Sequence, residues 1–157
     1  FTYTVNGGSA QTITTSTGNT VTLEQATGSA GTFTYTLVSV SDAKACSKNQ
    51  NGTATITINE LPSPIFDVTP FATDTIGCAP FDVGFSTLNA GANSFYWDFG
   101  NGDTSSLEVP PIQFYNSPGN YDVQLDVASI NGCSNSINQT INIYQSPVPL
   151  FSPTRPA

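Results

Sequence analysis

This sequence predicts an all-β chain of two small antiparallel β-sandwiches in tandem, and three observations predict it. Apolar residues alternate with polar ones in run after run, while helical spacing is nearly absent. Turn-forming clusters separate the runs: Asn6-Gly7-Gly8, Thr17-Gly18-Asn19, Gly100-Asn101-Gly102, Pro118-Gly119-Asn120 and Asn131-Gly132. A proline-rich stretch, Leu61-Pro62-Ser63-Pro64, divides the 157 residues into two lengths suited to small domains.

In chain order the apolar positions are Phe1, Tyr3 and Val5, then Phe33, Tyr35 and Leu37, then Ala54, Ile56 and Ile58. Beyond the prolines come Phe81, Val83 and Phe85, and then Phe95, Trp97 and Phe99. Tyr121, Val123, Leu125 and Val127 follow, and Ile137, Ile141 and Ile143 close the series. Each run has one apolar and one polar face, as half-buried antiparallel strands do. Prolines are excluded from central strands and favour a stiff, extended connection. Ser146-Pro147-Val148-Pro149 repeats that connection. The expected organisation is therefore a first module over 1–60, a second over 61–145, and a proline-rich link over 146–157 to a following module. The first holds about five strands, short of the seven of a complete sandwich of this size. Its first one or two strands are expected upstream of Phe1.

Composition excludes several classes of function. Eleven carboxylates face three basic residues, Lys44, Lys48 and Arg155, so there is no basic footprint for nucleic acid or anionic headgroups. No apolar run is long enough for membrane insertion. The chain has no histidine, which removes the usual general base and the usual zinc ligand. No catalytic residue, metal or cofactor is expected, and the chain reads as a non-enzyme. Of the three cysteines, Cys78 and Cys133 fall in the second module. A disulfide between them would suit an oxidising compartment and contribute about 4 kcal/mol by loop closure. The other reading is two buried free thiols. Cys46 is left over, with a partner upstream or none.

Phe95-Tyr96-Trp97-Asp98-Phe99-Gly100-Asn101-Gly102 resembles the WDFGDG signature of PKD (polycystic-kidney-disease) domains, with Asn101 where that pattern has Asp. Pro111, Phe114-Tyr115 and Gly119-Asn120-Tyr121-Asp122-Val123-Gln124-Leu125 continue the resemblance, with Phe114 at the customary histidine. It spans roughly residues 64–145. It implies an immunoglobulin-like sandwich whose motif core is Trp97, Asp98, Phe99, Gly100, Gly102 and Tyr121. Trp97 is the large buried side chain, the glycines permit the turn, and Tyr121 acts as a tyrosine corner. Asp98 and Asp103 could suggest a metal or an acid. Turn carboxylates more often accept backbone N–H bonds, and two carboxylates are too few for calcium.

Phe1-Thr2-Tyr3-Thr4-Val5-Asn6-Gly7-Gly8, Gly31 to Leu37, Cys46 and Gly52 to Ile58 resemble immunoglobulin-like repeats of long Bacteroidota surface proteins. That resemblance implies a stalk or repeat segment of a gliding-motility-associated adhesin, exported by the type IX secretion system and held outside the cell at the outer membrane. Asp74-Thr75-Ile76 resembles the O-glycosylation motif of such exported proteins, which makes Thr75 a candidate. The implied partners are neighbouring repeats, the secretion machinery, and surface polysaccharide or protein. The alternative is a polysaccharide- or protein-binding accessory module of a secreted hydrolase. It requires an exposed aromatic row, for which Tyr96, Tyr115 and Tyr144 are the candidates.

Overall fold

A computed structural model describes residues 1–15, 18–70, 76–88 and 91–149. Every helix-or-strand element in them is a β-strand. The chain divides into two compact units, Phe1–Glu60 and Leu61–Ala157.

Unit 1 contains β1 (Thr2–Val5), β2 (Gln11–Thr12), β3 (Gly31–Ser41), β4 (Ser47–Asn49) and β5 (Thr53–Ile58). They form one antiparallel sheet, ordered β2-β1-β3-β4 with β5 also on β3. β4 and β5 pair with opposite ends of β3, so they are two halves of one returning strand. The interruption is stitched by Leu37 N–H donating to the Gly52 carbonyl (2.7 Å) and Gln50 N–H to that of Val38 (2.8 Å). Register places Tyr3 opposite Leu37, Val5 opposite Tyr35 and Phe33 opposite Ile56. Partners in register share a face, so the apolar residues collect on one side. Thr4, Thr36 and Thr53 form a row on the other, with Thr34 beside Thr55 and Thr32 beside Thr57. The alternation in the sequence is thus realised, but in a single sheet. Among the described residues of this unit none is buried. Period-2 patterning fixes which face is apolar and says nothing of what lies on it.

Unit 2 contains β6 (Phe66–Thr69), β7 (Ile76–Ala79), β8 (Phe81–Thr87), β9 (Ser94–Asp98), β10 (Thr104–Ser105), β11 (Gln113–Tyr115), β12 (Gly119–Ala128) and β13 (Ser134–Gln145). Two sheets result, β10-β9-β12-β13-β7 and β11-β8-β6. Their inner faces supply the core: Phe66, Val68, Val83, Phe85 and Tyr115 from the smaller, Trp97, Val123, Leu125, Val127, Ile141 and Ile143 from the larger. Phe99, just past β9, is wholly buried with them. Trp97 occupies the middle, with ring centroids of Phe66, Phe99 and Phe85 at 5.2, 5.7 and 5.8 Å. Its indole N–H donates to the Leu107 carbonyl at 3.0 Å, so the polar edge is satisfied. This is the immunoglobulin-like β-sandwich that the motif implies.

β7 leaves the β6–β8 side and pairs in parallel with the end of β13. That crossover decides the geometry of both ends of the unit. Asn135, at the start of β13, donates through Nδ2 to the Pro62 carbonyl at 2.9 Å and pins the incoming chain there. The chain leaves after Gln145, where the Ser146 hydroxyl donates to the Ala79 carbonyl. The two points are separated by the length of β13, roughly 35 Å at ~3.3 Å per residue.

Candidate functional site: the outer face of the larger sheet

The side chains between the inward residues of β9, β12 and β13 form the solvent face of the larger sheet. Register aligns Asp98 with Gln124 and Asn138, Tyr96 with Asp126 and Ser136, and Asp122 with Thr140. The carboxylates are held by neighbours: Gln124 Nε2 donates to Asp126 at 2.7 Å, and the Thr140 hydroxyl to Asp122 at 2.6 Å. Asp98 accepts the Gly100 N–H at 2.9 Å, and Asn101 Oδ1 accepts the Asp103 N–H at 3.0 Å. Asp98 therefore closes the turn after β9, the role expected of a turn carboxylate. Among the described residues no group of three or more His, Cys, Asp or Glu side chains is placed to hold a metal.

The three candidate tyrosines do not converge. Tyr96 and Tyr144 are 51% and 56% exposed and share the outer face. Tyr96 lies level with Ser136, and Tyr144 is eight residues further along β13, roughly 25 Å at the rise of a strand. Tyr115 must be corrected. It is 1% exposed, its ring packs edge-on to Tyr121 at 4.6 Å, and its hydroxyl donates to the Phe99 carbonyl at 2.9 Å. The reason lies in β11, where Gln113 and Tyr115 turn inward and Phe114 turns out, 60% exposed. Two adjacent aromatics hide the period, and the Gln113 side chain survives burial because its Nε2 reaches the Pro111 carbonyl at 2.8 Å. The Tyr121 hydroxyl donates to the Ser117 carbonyl four residues back, at 2.8 Å.

Burial, with smaller contributions from Tyr121, Asp103 and Asp98, pushes the Tyr115 hydroxyl well above the usual tyrosine range. The fold thus favours its neutral form. This stabilisation is complete below the unfolded tyrosine pKa of about 10 and is lost as pH rises beyond it. Tyr115→Phe should cost about 1–2 kcal/mol at neutral pH, by leaving the buried Phe99 carbonyl without its partner. It should also remove part of the alkaline loss of stability, read from urea unfolding at pH 7 and pH 11.

The expected Cys78–Cys133 disulfide does not form. Both thiols are free, Cys78 exposed and Cys133 partly so, which also departs from a buried pair. Cys78 pairs in register with Tyr144, near the end of β13, while Cys133 directly precedes its first residue. The length of a ten-residue strand, roughly 33 Å, lies between them. A disulfide needs Cα atoms within about 7 Å. Sequence spacing concealed this because the parallel β7–β13 crossover, not chain order, sets which end of the sandwich each cysteine occupies. Cys46 is free and exposed. Thr75, the glycosylation candidate, lies outside the described residues.

An equivalence between the units escaped the sequence reading. In β3–β4, Asp42 N–H bonds the Cys46 carbonyl (3.0 Å) and Ala45 N–H that of Asp42 (3.1 Å). In β12–β13, Ser129 N–H bonds the Cys133 carbonyl (2.8 Å) and Gly132 N–H that of Ser129 (3.0 Å). The same loop therefore carries both cysteines, and the shared Cys-Ser dipeptide after each turn was the signal available.

The motif carried by β9 and β12 has its counterpart in a known family. The PKD domain family model matches residues 62–144. The chain is 44% identical over 50 residues to "Pre-pro-metalloprotease PrtV" of Vibrio cholerae, a match covering 32% of this chain and 5% of that protein. Among solved structures, the PKD1 domain of Vibrio anguillarum Epp is 28% identical over 56% of this chain and 99% of that one, with a TM-score of 0.46. A structure of carbohydrate-binding modules from the β-sandwich superfamily is also 28% identical, covering 56% of this chain and 36% of that one, with a TM-score of 0.48. Through the segment that builds the Trp97-centred sandwich, the chain belongs to the PKD domain family.

Proposed function

We propose that this chain is a structural repeat segment, a stalk or spacer, of a large secreted bacterial surface protein of the gliding-motility-adhesin kind. The observation that carries the reading is the position of the chain's two crossing points in unit 2. The polypeptide is pinned at Pro62 beside the start of β13 and leaves beyond its end, so each such sandwich adds its full length to the reach of the protein. Tandem modules joined this way act as beads on a line, with spacing as their output. Export by the type IX system, attachment at the outer membrane and contact with neighbouring repeats belong to the same proposal. They rest on the resemblance of residues 1–58 to surface-protein repeats.

The alternative is an accessory module that engages polysaccharide or protein for a secreted hydrolase. The match to a metalloprotease favours it, and the two outward tyrosines are its available contacts. Their separation weighs against it, since a flat polymer is gripped by aromatics that lie side by side. A titration of the 157-residue chain against soluble and insoluble polysaccharides and matrix proteins separates the two, with Tyr96→Ala and Tyr144→Ala alongside. The spacer reading expects no saturable binding. Saturable binding that both alanine variants lose would replace it with the accessory module.

A further inference from the structure

Four Asn-Gly dipeptides occur in the chain: Asn6-Gly7, Asn51-Gly52, Asn101-Gly102 and Asn131-Gly132. Each carries the same latent reaction. The backbone nitrogen of the glycine can attack the side-chain carbonyl carbon of the asparagine before it, and with no Cβ on the glycine nothing hinders ring closure. The intrinsic chemistry is shared, so the fold decides which of the four reacts.

Three of them are restrained. Asn6 Oδ1 accepts the Thr34 N–H at 2.8 Å. Asn101 Oδ1 accepts the Asp103 N–H at 3.0 Å, and its Nδ2 faces the Asp103 carboxylate and the Phe114 carbonyl at 3.4 and 3.5 Å. At Asn131 the restraint falls on the nucleophile, because the Gly132 N–H donates to the Ser129 carbonyl at 3.0 Å. Asn51-Gly52 differs. Both of its residues are exposed. Among the described residues, neither the Asn51 side-chain amide nor the Gly52 N–H has a hydrogen-bond partner.

The position of this dipeptide gives the reaction a structural consequence. It lies at the interruption between β4 and β5, where Gln50 N–H donates to the Val38 carbonyl and Leu37 N–H to that of Gly52. Two adjacent residues of β3 thus hold the residues on either side of Asn51, which is left as the extra residue of a bulge. The flanking bonds fix the main chain, while the Asn51 amide and the Gly52 nitrogen stay open to water.

We propose that Asn51 is the site of spontaneous deamidation in this chain, with water as the only co-reactant. The Gly52 nitrogen gives its proton to solvent and bonds Asn51 Cγ. The Cγ–Nδ2 bond breaks, and ammonia leaves with a proton returned from solvent. Water then opens the cyclic imide at either carbonyl. One opening gives aspartate with the main chain unchanged. The other gives isoaspartate, which places one more atom in the main chain between the two bonds that stitch β4 and β5 to β3. Both products add a negative charge, and the second loosens the strand junction.

The test incubates the 157-residue chain in mildly alkaline buffer, folded and in urea, and follows each asparagine by peptide mapping and mass spectrometry. In the folded chain Asn51 should convert about tenfold faster than Asn6, Asn101 and Asn131, each of which must first break a hydrogen bond. In urea all four should convert at similar rates. Gly52→Ala should suppress conversion at Asn51 while the fold is kept, because a Cβ there meets only the Leu37 Cβ, at 4.0 Å. In the isoaspartate form, isolated by ion exchange, amide exchange at Leu37 should be about fivefold faster than in Asn51→Asp, which carries the same charge on an unlengthened main chain. Trp97 fluorescence should stay native in both. Equal rates at the four sites of the folded chain overturn the proposal, as does an excess at Asn51 that persists in urea. So does undiminished conversion in Gly52→Ala, or exchange at Leu37 that is the same in the isoaspartate form and in Asn51→Asp.

Discussion

Trp97→Ala should lower the stability of unit 2 by about 4 kcal/mol, enough to leave a small sandwich partly unfolded at room temperature. The side chain is wholly buried, and its neighbours cannot close the void together, because Phe66 and Phe85 are fixed by strands of the smaller sheet and Phe99 by the turn after β9. The variant also leaves the Leu107 carbonyl without its indole donor at 3.0 Å. Tyr96→Ala is the internal control. It lies one residue away on β9 but on the solvent face, 51% exposed, and should cost within about 0.5 kcal/mol. Trp97 is the sole tryptophan, so urea unfolding of both variants is followed by circular dichroism. At about 1 kcal/mol per molar urea, the Trp97→Ala midpoint should fall by several molar, while that of Tyr96→Ala should scarcely move. Equal shifts would mean that β9 does not present its faces as described.

The same β9 segment shows how far the sequence could be read. Alternation alone placed Trp97 inward and Asp98 outward, because a strand whose one face is buried cannot slip by a single residue. The turn residues after it were also legible, since they depend on local chemistry. What depended on long-range pairing was not. The separation of Cys78 from Cys133 follows from the parallel junction of β7 with β13, a contact between segments far apart in sequence. The burial of Tyr115 was hidden because Phe114 beside it is equally apolar and the inward neighbour is Gln113. In unit 1 the apolar and threonine faces were both readable from Phe33 to Leu37, yet a face carries no information about its cover. The site suffers most from this limit: tyrosines could be named as candidates, but which of them face outward, and the distance between Tyr96 and Tyr144, needed the register of β9, β12 and β13.

Gly100→Ala should cost about 3 kcal/mol, although it adds a single methyl group. Two effects combine at this position. The backbone has φ +69°, where an L side chain costs about 1–2 kcal/mol. A Cβ built there would also lie 2.7 Å from the Asp122 carbonyl oxygen and 3.0 Å from its nitrogen. Neither atom can retreat, since Asp122 is part of β12 and pairs in register with Thr140. Relief would have to come from the turn, by loosening the Gly100 N–H bond to Asp98. Overpacking against fixed atoms costs about 1–3 kcal/mol. Gly102→Ala separates the two effects. Its φ is +99°, but a Cβ there meets nothing within 4 Å, so only the backbone cost remains, about 1–2 kcal/mol. Urea unfolding followed by Trp97 fluorescence reads unit 2 alone in both variants. A midpoint lowered clearly more by Gly100→Ala than by Gly102→Ala would locate the constraint in the approach of the turn to β12. Equal losses would show that the left-handed backbone alone demands glycine there, and that the turn can lift away from Asp122 at little cost.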